Sequence, residues 1–195
     1  CSSAASDVYK RQIIPCSSDI DFRQDLWKVK LNGKSLLERD IEVCLNSGFI
    51  DKVIVTCDNP EAKKVSESFS SDKVQFFLRD SFSTIRSIGL VATLKEIINK
   101  YDKEYRGVSV LSYIQTPFVK TQILNEAISS LLINNADSSC GVELMNKQFY
   151  KKSKYGLIPL NQGNKAVNSD FDKIYKDSQT FTALKNKNLI MGSLK

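Results

Sequence analysis

The sequence predicts an α/β fold of three layers, a mostly parallel sheet covered by helices on both faces. Three observations carry this. Short apolar runs and longer segments of helical periodicity take turns from residue 12 to about residue 146, the rhythm of strand, crossover helix and next strand. A run such as "DKVIVTCD" is β-branched and apolar through its middle, as a strand buried on both faces is. A chain of 195 residues, 42% hydrophobic and 26% charged, suits one domain with a sizeable core.

The elements follow in order. The opening "CSSAASDVYKRQ" reads like translated sequencing-adaptor text from the end of an assembled read. Residues 1–11 are therefore expected to be non-native, and one domain is expected over 12–195. "QIIPC" is a first strand. "KSLLERDIEVCLNSG" carries Leu37, Ile41, Cys44 and Leu45 on one helical stripe and stops at Gly48. "DKVIVTCD" is the second strand, ending at Asp58. "NPEAKKVSESF" starts a helix with an asparagine cap and a proline at the first helical position. "KVQFFLRD" is a third strand, "STIRSIGLVATLKEIINKY" a long amphipathic helix with Gly89 as its weak point, and "GVSVLSYIQTPF" a fourth strand running into a loop. "TQILNEAISSLLINN" is helical again and "ADSSCGVELMN" a further strand. Residues 147–179 break the rhythm and read as a loop or a small hairpin around "YGLIPL". "TFTALKNKNLIMGSLK" reads as a strand plus a short helix.

Composition narrows the chemistry. The formal charge is +6 but uneven, with eleven lysines, no arginine and six acids from Lys120 onward. Without aromatic-interleaved basic motifs or zinc-finger spacing, this lysine excess reads as a solvated face, and no nucleic-acid partner is expected. Five cysteines (Cys1, Cys16, Cys44, Cys57, Cys140) are odd in number and contain no C-x-x-C pair, which fits a reducing cytoplasm better than a disulfide framework or zinc site. The absence of histidine excludes Ser-His-Asp and Cys-His catalysis and every histidine-ligated metal. No apolar run reaches the length of a membrane span and no secretory h-region appears, so no membrane partner is expected.

In sheets of this type ligands sit beyond the carboxyl ends of the strands. Those ends are Pro15–Asp25, Asp58, Arg79–Thr84 and Gln115–Phe118. The first is unusual. Between Pro15 and Leu26 there is no glycine, and Asp19, Asp21 and Asp25 make the loop acidic.

Taken together, these ends resemble the acylneuraminate cytidylyltransferases, which make CMP-activated sialic-type sugars. That family opens with I-P-A-R-x-G-S-K-G-I-P-x-K-N followed by L-x-G-K-P-L. Here "IIPC" stands at the start, and "LNGKSLL" follows at the family's distance without a gap. "SGFIDKVIVTCDNPE" is similar to S-x-x-x-D-x-V-x-V-S-T-D-x-x-E, and "FLRD" to the segment with the arginine after the third strand. "STIRSI" is similar to D-T-A-S-S-I, "YIQTPF" to L-Q-P-T-S-P-L, and "NNADSSCGVE" to G-A-D-S-V-x-S-V. Order and spacing over residues 12–146 carry the resemblance, since each piece alone is weak.

The resemblance implies a three-layer Rossmann-like nucleotidyltransferase fold and transfer of CMP from CTP to an acidic, sialic-type sugar with release of pyrophosphate. The alternative expectation is an inactive homologue that binds a nucleotide or sugar. On the matching positions, Pro15, Cys16, Ser17, Arg79 and Ser87 are the implied nucleotide-binding residues, and Gln115 and Thr116 the substrate-binding ones. No catalytic residue is assigned. Mg²⁺ is implied as cofactor, although the family's D-I-D metal segment lies beyond "NLIMGSLK", so the chain is expected to be truncated before it. A homodimer is implied through residues 147–179.

The opening loop departs from the pattern. Ser17 stands at the family's arginine, Asp21 at its first lysine, Leu26 and Trp27 at the later lysine and asparagine, and Gly89 at an aspartate. A carboxylate about 5 Å from a phosphate charge is repelled by roughly 3 kcal/mol at an effective dielectric near 20. Three compensations are open: Asp19 or Asp21 holding Mg²⁺, basic side chains from Arg23, Lys28, Lys30 or Lys34, or a polar turn of "CSSD". Bland readings stand beside these. Gly33 and Lys34 could form only a turn and a helix start, Asp58 or Thr84 a helix cap, Arg79 and Asp80 a surface ion pair, and Trp27 a packing residue.

Overall fold

The computed structural model describes residues 8–18, 23–80, 89–160 and 173–191. The first strand, β1, covers Lys10–Pro15. A short 3-10 helix, Leu26–Lys28, precedes a small hairpin of β2, Lys30–Leu31, and β3, Lys34–Ser35. Its two-residue turn has Asn32 at φ 52° and Gly33 at φ 82°, the left-handed pair that tight hairpins favour. Then follow α1 (Leu36–Leu45), β4 (Lys52–Cys57), α2 (Glu61–Glu67), β5 (Val74–Leu78), α3 (Gly89–Tyr101), β6 (Val108–Ser112) and α4 (Thr121–Ile133). The chain closes with β7 (Ser138–Met145), β8 (Tyr150–Ser153), β9 (Gly156–Pro159), β10 (Ile174–Lys185) and α5 (Asn186–Ile190).

Contacts divide the chain at residues 140/141 and 179/180 into two compact units. The sheet runs in the order β5-β4-β1-β6-β10-β7. β1 pairs in parallel with β4 and β6, and β4 with β5, while β10 runs antiparallel to β6 from Phe181↔Ser112 to Lys185↔Val108. Residues 141–179 contain the antiparallel β8–β9 pair, Tyr150↔Pro159 to Ser153↔Gly156, at the hairpin expected around "YGLIPL".

The strands' apolar residues point alternately to two cores. Ile14, Cys16, Val53, Val55, Cys57, Val108 and Val110 face Leu37, Ile41 and Cys44 of α1, Ala62 of α2 and Leu124, Ile128 and Leu131 of α4. Ile13, Ile54 and Leu111 face Leu94, Ile97 and Ile98 of α3 and Leu189 of α5. Both faces of the sheet are thus covered, which is why its strands read as continuous apolar runs.

One boundary moves. The sequence placed the start of the fold at residue 12, whereas β1 begins at Lys10, and Lys10 and Arg11 are buried. Pairing decides this: Arg11 lies opposite Lys52 and Lys10 opposite Val108. The Lys10 amide donates to the Asp51 carboxylate at 2.7 Å, and the Arg11 guanidinium lies 3.7 Å from Asp102 and donates to the Tyr101 carbonyl.

α1 starts with a reciprocal cap. The Glu38 amide donates to Ser35 Oγ at 3.2 Å and the Ser35 amide to Glu38 Oε2 at 2.6 Å, and the Ser35 amide holds the Glu38 carboxyl below its ordinary pKa. This satisfies two amides that have no partner inside the helix. Ser35→Ala is expected to cost about 1 kcal/mol, read as a melting temperature roughly 2–4 °C lower.

Candidate functional site

The carboxyl ends of β1, β4 and β5 meet at one place because the three strands are neighbours in register. Pro15 lies opposite Thr56, and Cys57 opposite Leu78. Beyond these ends the backbone is cross-tied. The Cys16 amide donates to the Thr56 carbonyl at 2.9 Å, and the Arg79 amide to the Cys57 carbonyl at 2.9 Å.

Arg79 sits at the centre of this arrangement. It is buried, and its guanidinium donates to the Cys16 carbonyl at 2.7 Å. Its Nε is buried and has no hydrogen-bond partner, and no carboxylate pairs with it among the described residues. Arg79 is buried rather than on the surface, where the ion pair with Asp80 would have placed it. A buried guanidinium is costly unless a negative partner completes it.

Asp58 is an anchor for the loop. Its Oδ1 accepts the Ser18 amide at 2.8 Å, and Ser18 in turn accepts the Asp25 amide on its carbonyl at 2.8 Å, so the two ends of the acidic loop are tied to each other and to β4. The cap on α2 comes instead from Asn59, whose side chain accepts the Glu61 amide at 2.9 Å. Asp58→Ala is expected to cost about 1.5–3 kcal/mol as a charged hydrogen bond. Faster hydrogen exchange at the Ser18 amide would check it.

The remaining candidates divide. Pro15, Cys16 and Ser17 lie at the loop's root, with Cys16 buried. Of the basic side chains, Lys28 is held by Glu61 at 2.7 Å and Asp25 at 3.1 Å, and Lys34 by Glu42 at 2.5 Å. Both ammonium groups sit in exposed ion pairs with carboxylates. Arg23 is exposed and makes no ion pair among the described residues. Trp27 is fully buried in the larger core and has the packing role. Gly33 serves the β2–β3 turn. Ser87, Thr84, Asp19 and Asp21 lie outside the described residues.

Gln115 and Thr116 differ from expectation. β6 ends at Ser112, and Gln115 lies three residues further on, in a turn, exposed. The Thr116 hydroxyl donates within its own turn to Tyr113 O at 2.8 Å and also approaches Thr180 O of β10 at 3.4 Å. The turn forms because the chain must reverse from β6 into α4.

Sequence reading missed Asp40. From α1 its Oδ2 accepts the Ser112 hydroxyl at 2.8 Å, and its Oδ1 lies 3.9 Å from Cys44 Sγ. Burial, against these two hydrogen bonds, raises its pKa to about 6, and it lines a small cleft with Tyr113, Ile114, Thr116 and Pro117. A signal was present: Asp40 lies three residues after Leu37 and four before Cys44, inside the apolar stripe.

No group of three or more Cys, Asp or Glu could hold an ion among the described residues. Of the described acids by the loop, Asp25 pairs with Lys28, and Asp58 at the end of β4 holds the Ser18 amide. A concavity lined by Val8, Tyr105, Leu132 and Lys185 lies away from the site, by the opposite ends of β1 and β6. No helix among the described residues is long and apolar enough to cross a membrane.

A sheet of this order, helices on both faces, and loop ends gathered over β1, β4 and β5 define the class: a Rossmann-like nucleotidyltransferase fold. The chain belongs to the cytidylyltransferase family, whose sequence pattern matches residues 29–193. That match begins beyond the acidic loop. The chain is 26% identical over 157 residues to the pseudaminic acid cytidylyltransferase of Campylobacter jejuni subsp. jejuni, over 76% of this chain and 66% of that protein. It thus spans slightly under two thirds of that relative. Among solved structures, CMP:2-keto-3-deoxy-manno-octonic acid synthetase complexed with CTP superposes with a TM-score of 0.70 at 12% identity, covering 95% of this chain and 77% of that one. The 4-diphosphocytidyl-2C-methyl-D-erythritol synthase of Anaerococcus prevotii gives 0.66 at 14% identity, over 95% and 74%. At these identities the likeness shows the shared fold.

Proposed function

We propose that this protein transfers CMP from CTP to an acidic, sialic-type sugar. A sugar hydroxyl attacks the α-phosphorus, the bond to the bridging oxygen breaks, and pyrophosphate leaves. Such transfer depends on positioning and on positive charge near the phosphates. The observation that carries the reading is Arg79, a buried cation without a carboxylate partner among the described residues, fixed against the Cys16 carbonyl at the root of the first loop. Pro15, Cys16 and Ser17 would supply backbone around the nucleotide, Arg23 an exposed positive charge, and Ser87 a hydroxyl. Gln115 and Thr116 would border the sugar. The acidic sugar is supported by the pseudaminic acid enzyme among the relatives.

A second reading, a homologue that binds without catalysis, is favoured by the loop itself, since Lys28 and Lys34 are already paired with carboxylates. Calorimetric titration with CTP, with and without Mg²⁺ and against ATP, separates the outcomes. Selective CTP binding followed by pyrophosphate release on adding an acidic sugar is expected. CTP binding without release would establish the binding homologue, and no CTP binding would overturn both nucleotide readings. A cytoplasmic location fits free Cys16, Cys44, Cys57 and Cys140. A homodimer through residues 147–179 is supported by the exposed apolar side chains Tyr155, Leu157 and Ile158 of the β8–β9 hairpin.

A further inference from the structure

We propose that Cys16 and Cys57 form a redox pair at the root of the first loop, open as two thiols and closed to a disulfide by a hydroperoxide, and that closing it disturbs the loop. The placement comes from register. β1 and β4 run in parallel with Pro15 opposite Thr56, so the next step sets Cys16 beside Cys57. Both belong to the same core face. Neighbouring strands lie about 4.8 Å apart, within the roughly 4.4–6.8 Å that a disulfide spans between Cα atoms.

The family pattern has alanine and threonine at these two positions, in I-P-A-R and S-T-D. This chain has cysteine at both. The other described cysteines have no such neighbour: Cys44 lies against Asp40 and Cys140 is exposed.

The two thiols also differ in role. The Cys16 thiol donates to the Thr56 carbonyl at 3.5 Å, and its neighbourhood holds the Cys57 thiol below its ordinary pKa, with help from the Asn59 amide at 3.4 Å and against burial and Asp58. Cys16 is pushed up by Cys57 and by burial. Cys57 is therefore the nucleophile. Its thiolate attacks one oxygen of the hydroperoxide, the O–O bond breaks, and a sulfenic acid forms. The Cys16 sulfur then attacks the Cys57 sulfur, loses its proton, and releases water. Two thiols are oxidised, and for hydrogen peroxide the two electrons yield two waters. Both sulfurs are buried, so the proposal requires an oxidant as small as hydrogen peroxide.

Closing the pair fixes the torsion between the two Cβ atoms near ±90°. That pulls on the residue whose carbonyl holds Arg79 and whose amide bonds Thr56. The effect on nucleotide binding rests on the function proposed above.

The test treats the 195-residue chain with hydrogen peroxide after full reduction, then maps the peptides by mass spectrometry without reductant. A Cys16–Cys57 link, removed by dithiothreitol, is expected. With it, CTP affinity should fall at least about ten-fold, as expected when a charged hydrogen bond is disturbed, and hydrogen exchange at the Ser18 and Asp25 amides should change. Cys57→Ser should abolish the link and the response of CTP affinity to peroxide. Sulfinic acid only, or links to other cysteines only, would overturn the pair. A link that leaves both CTP affinity and loop exchange unchanged would overturn its effect on the loop. If the reduced chain binds no CTP, the nucleotide reading fails separately, while the peptide map and the exchange still decide the pair and its loop.

Discussion

Replacing Arg79 by methionine is expected to lower CTP affinity about 10- to 100-fold while leaving the fold nearly as stable as before. The two effects separate because the guanidinium is buried without a carboxylate partner among the described residues. Removing such a charge for an apolar side chain of similar volume relieves desolvation. The change also strips the Cys16 carbonyl of its charged donor at 2.7 Å, a loss of about 1.5–3 kcal/mol. These nearly offset one another. A charged hydrogen bond to phosphate, by contrast, is worth about 1.5–3 kcal/mol, which is the fold-change given. Calorimetric titration and a melting curve on the same variant check both halves. Unchanged affinity with a sharply lowered melting temperature would show that Arg79 only ties β5 to β1.

Asp40→Asn is expected to stabilise the protein at pH 8 and to do little at pH 4. Burial raises the folded-state pKa from 3.8 to about 6. The folded state therefore binds the proton more tightly than the unfolded chain does. The contribution to stability is fully present below about pH 4 and is lost as pH rises through about 6. Undamped, the loss would be about 3 kcal/mol. Asp40 keeps part of its surface exposed, so solvent screening brings the expected value nearer 2 kcal/mol. That corresponds to roughly 4–8 °C in melting temperature. Asparagine retains an oxygen for the Ser112 hydroxyl and carries no charge to desolvate. Melting temperatures of the two proteins should diverge between about pH 4 and 6 and keep a constant offset from there to pH 8. Parallel curves across the range would show that the carboxylate is already well solvated when folded.

Much of the fold was legible because its local signals agree with its global arrangement. "KVIVTC" could only be a buried strand, and β4 is one with both faces covered. Leu37, Ile41 and Cys44 marked the inner face of α1, and all three are buried. Arg79 followed its strand at the expected place. The antiparallel direction of β10 was not legible, since strand direction leaves no mark in a single run of residues. Neither was Gln115 leaving the end of β6, which depends on where pairing with β10 stops, at Ser112 opposite Phe181.

The loop divides along the same line. By itself the sequence determined that the segment after Pro15 is acidic and free of glycine, and therefore unlike the phosphate-cradling loops of its family, because charge and backbone freedom are properties of residue type. Only the tertiary structure decided what each charge does. Lys28 meets Glu61, Lys34 meets Glu42, Asp58 holds the Ser18 amide, Arg79 reaches the Cys16 carbonyl, and Cys16 lies beside Cys57. These partners are separated by between eight and sixty-three residues along the chain. Electrostatic and hydrogen-bonding energies fall off with distance in space, and that distance is fixed by strand order and register.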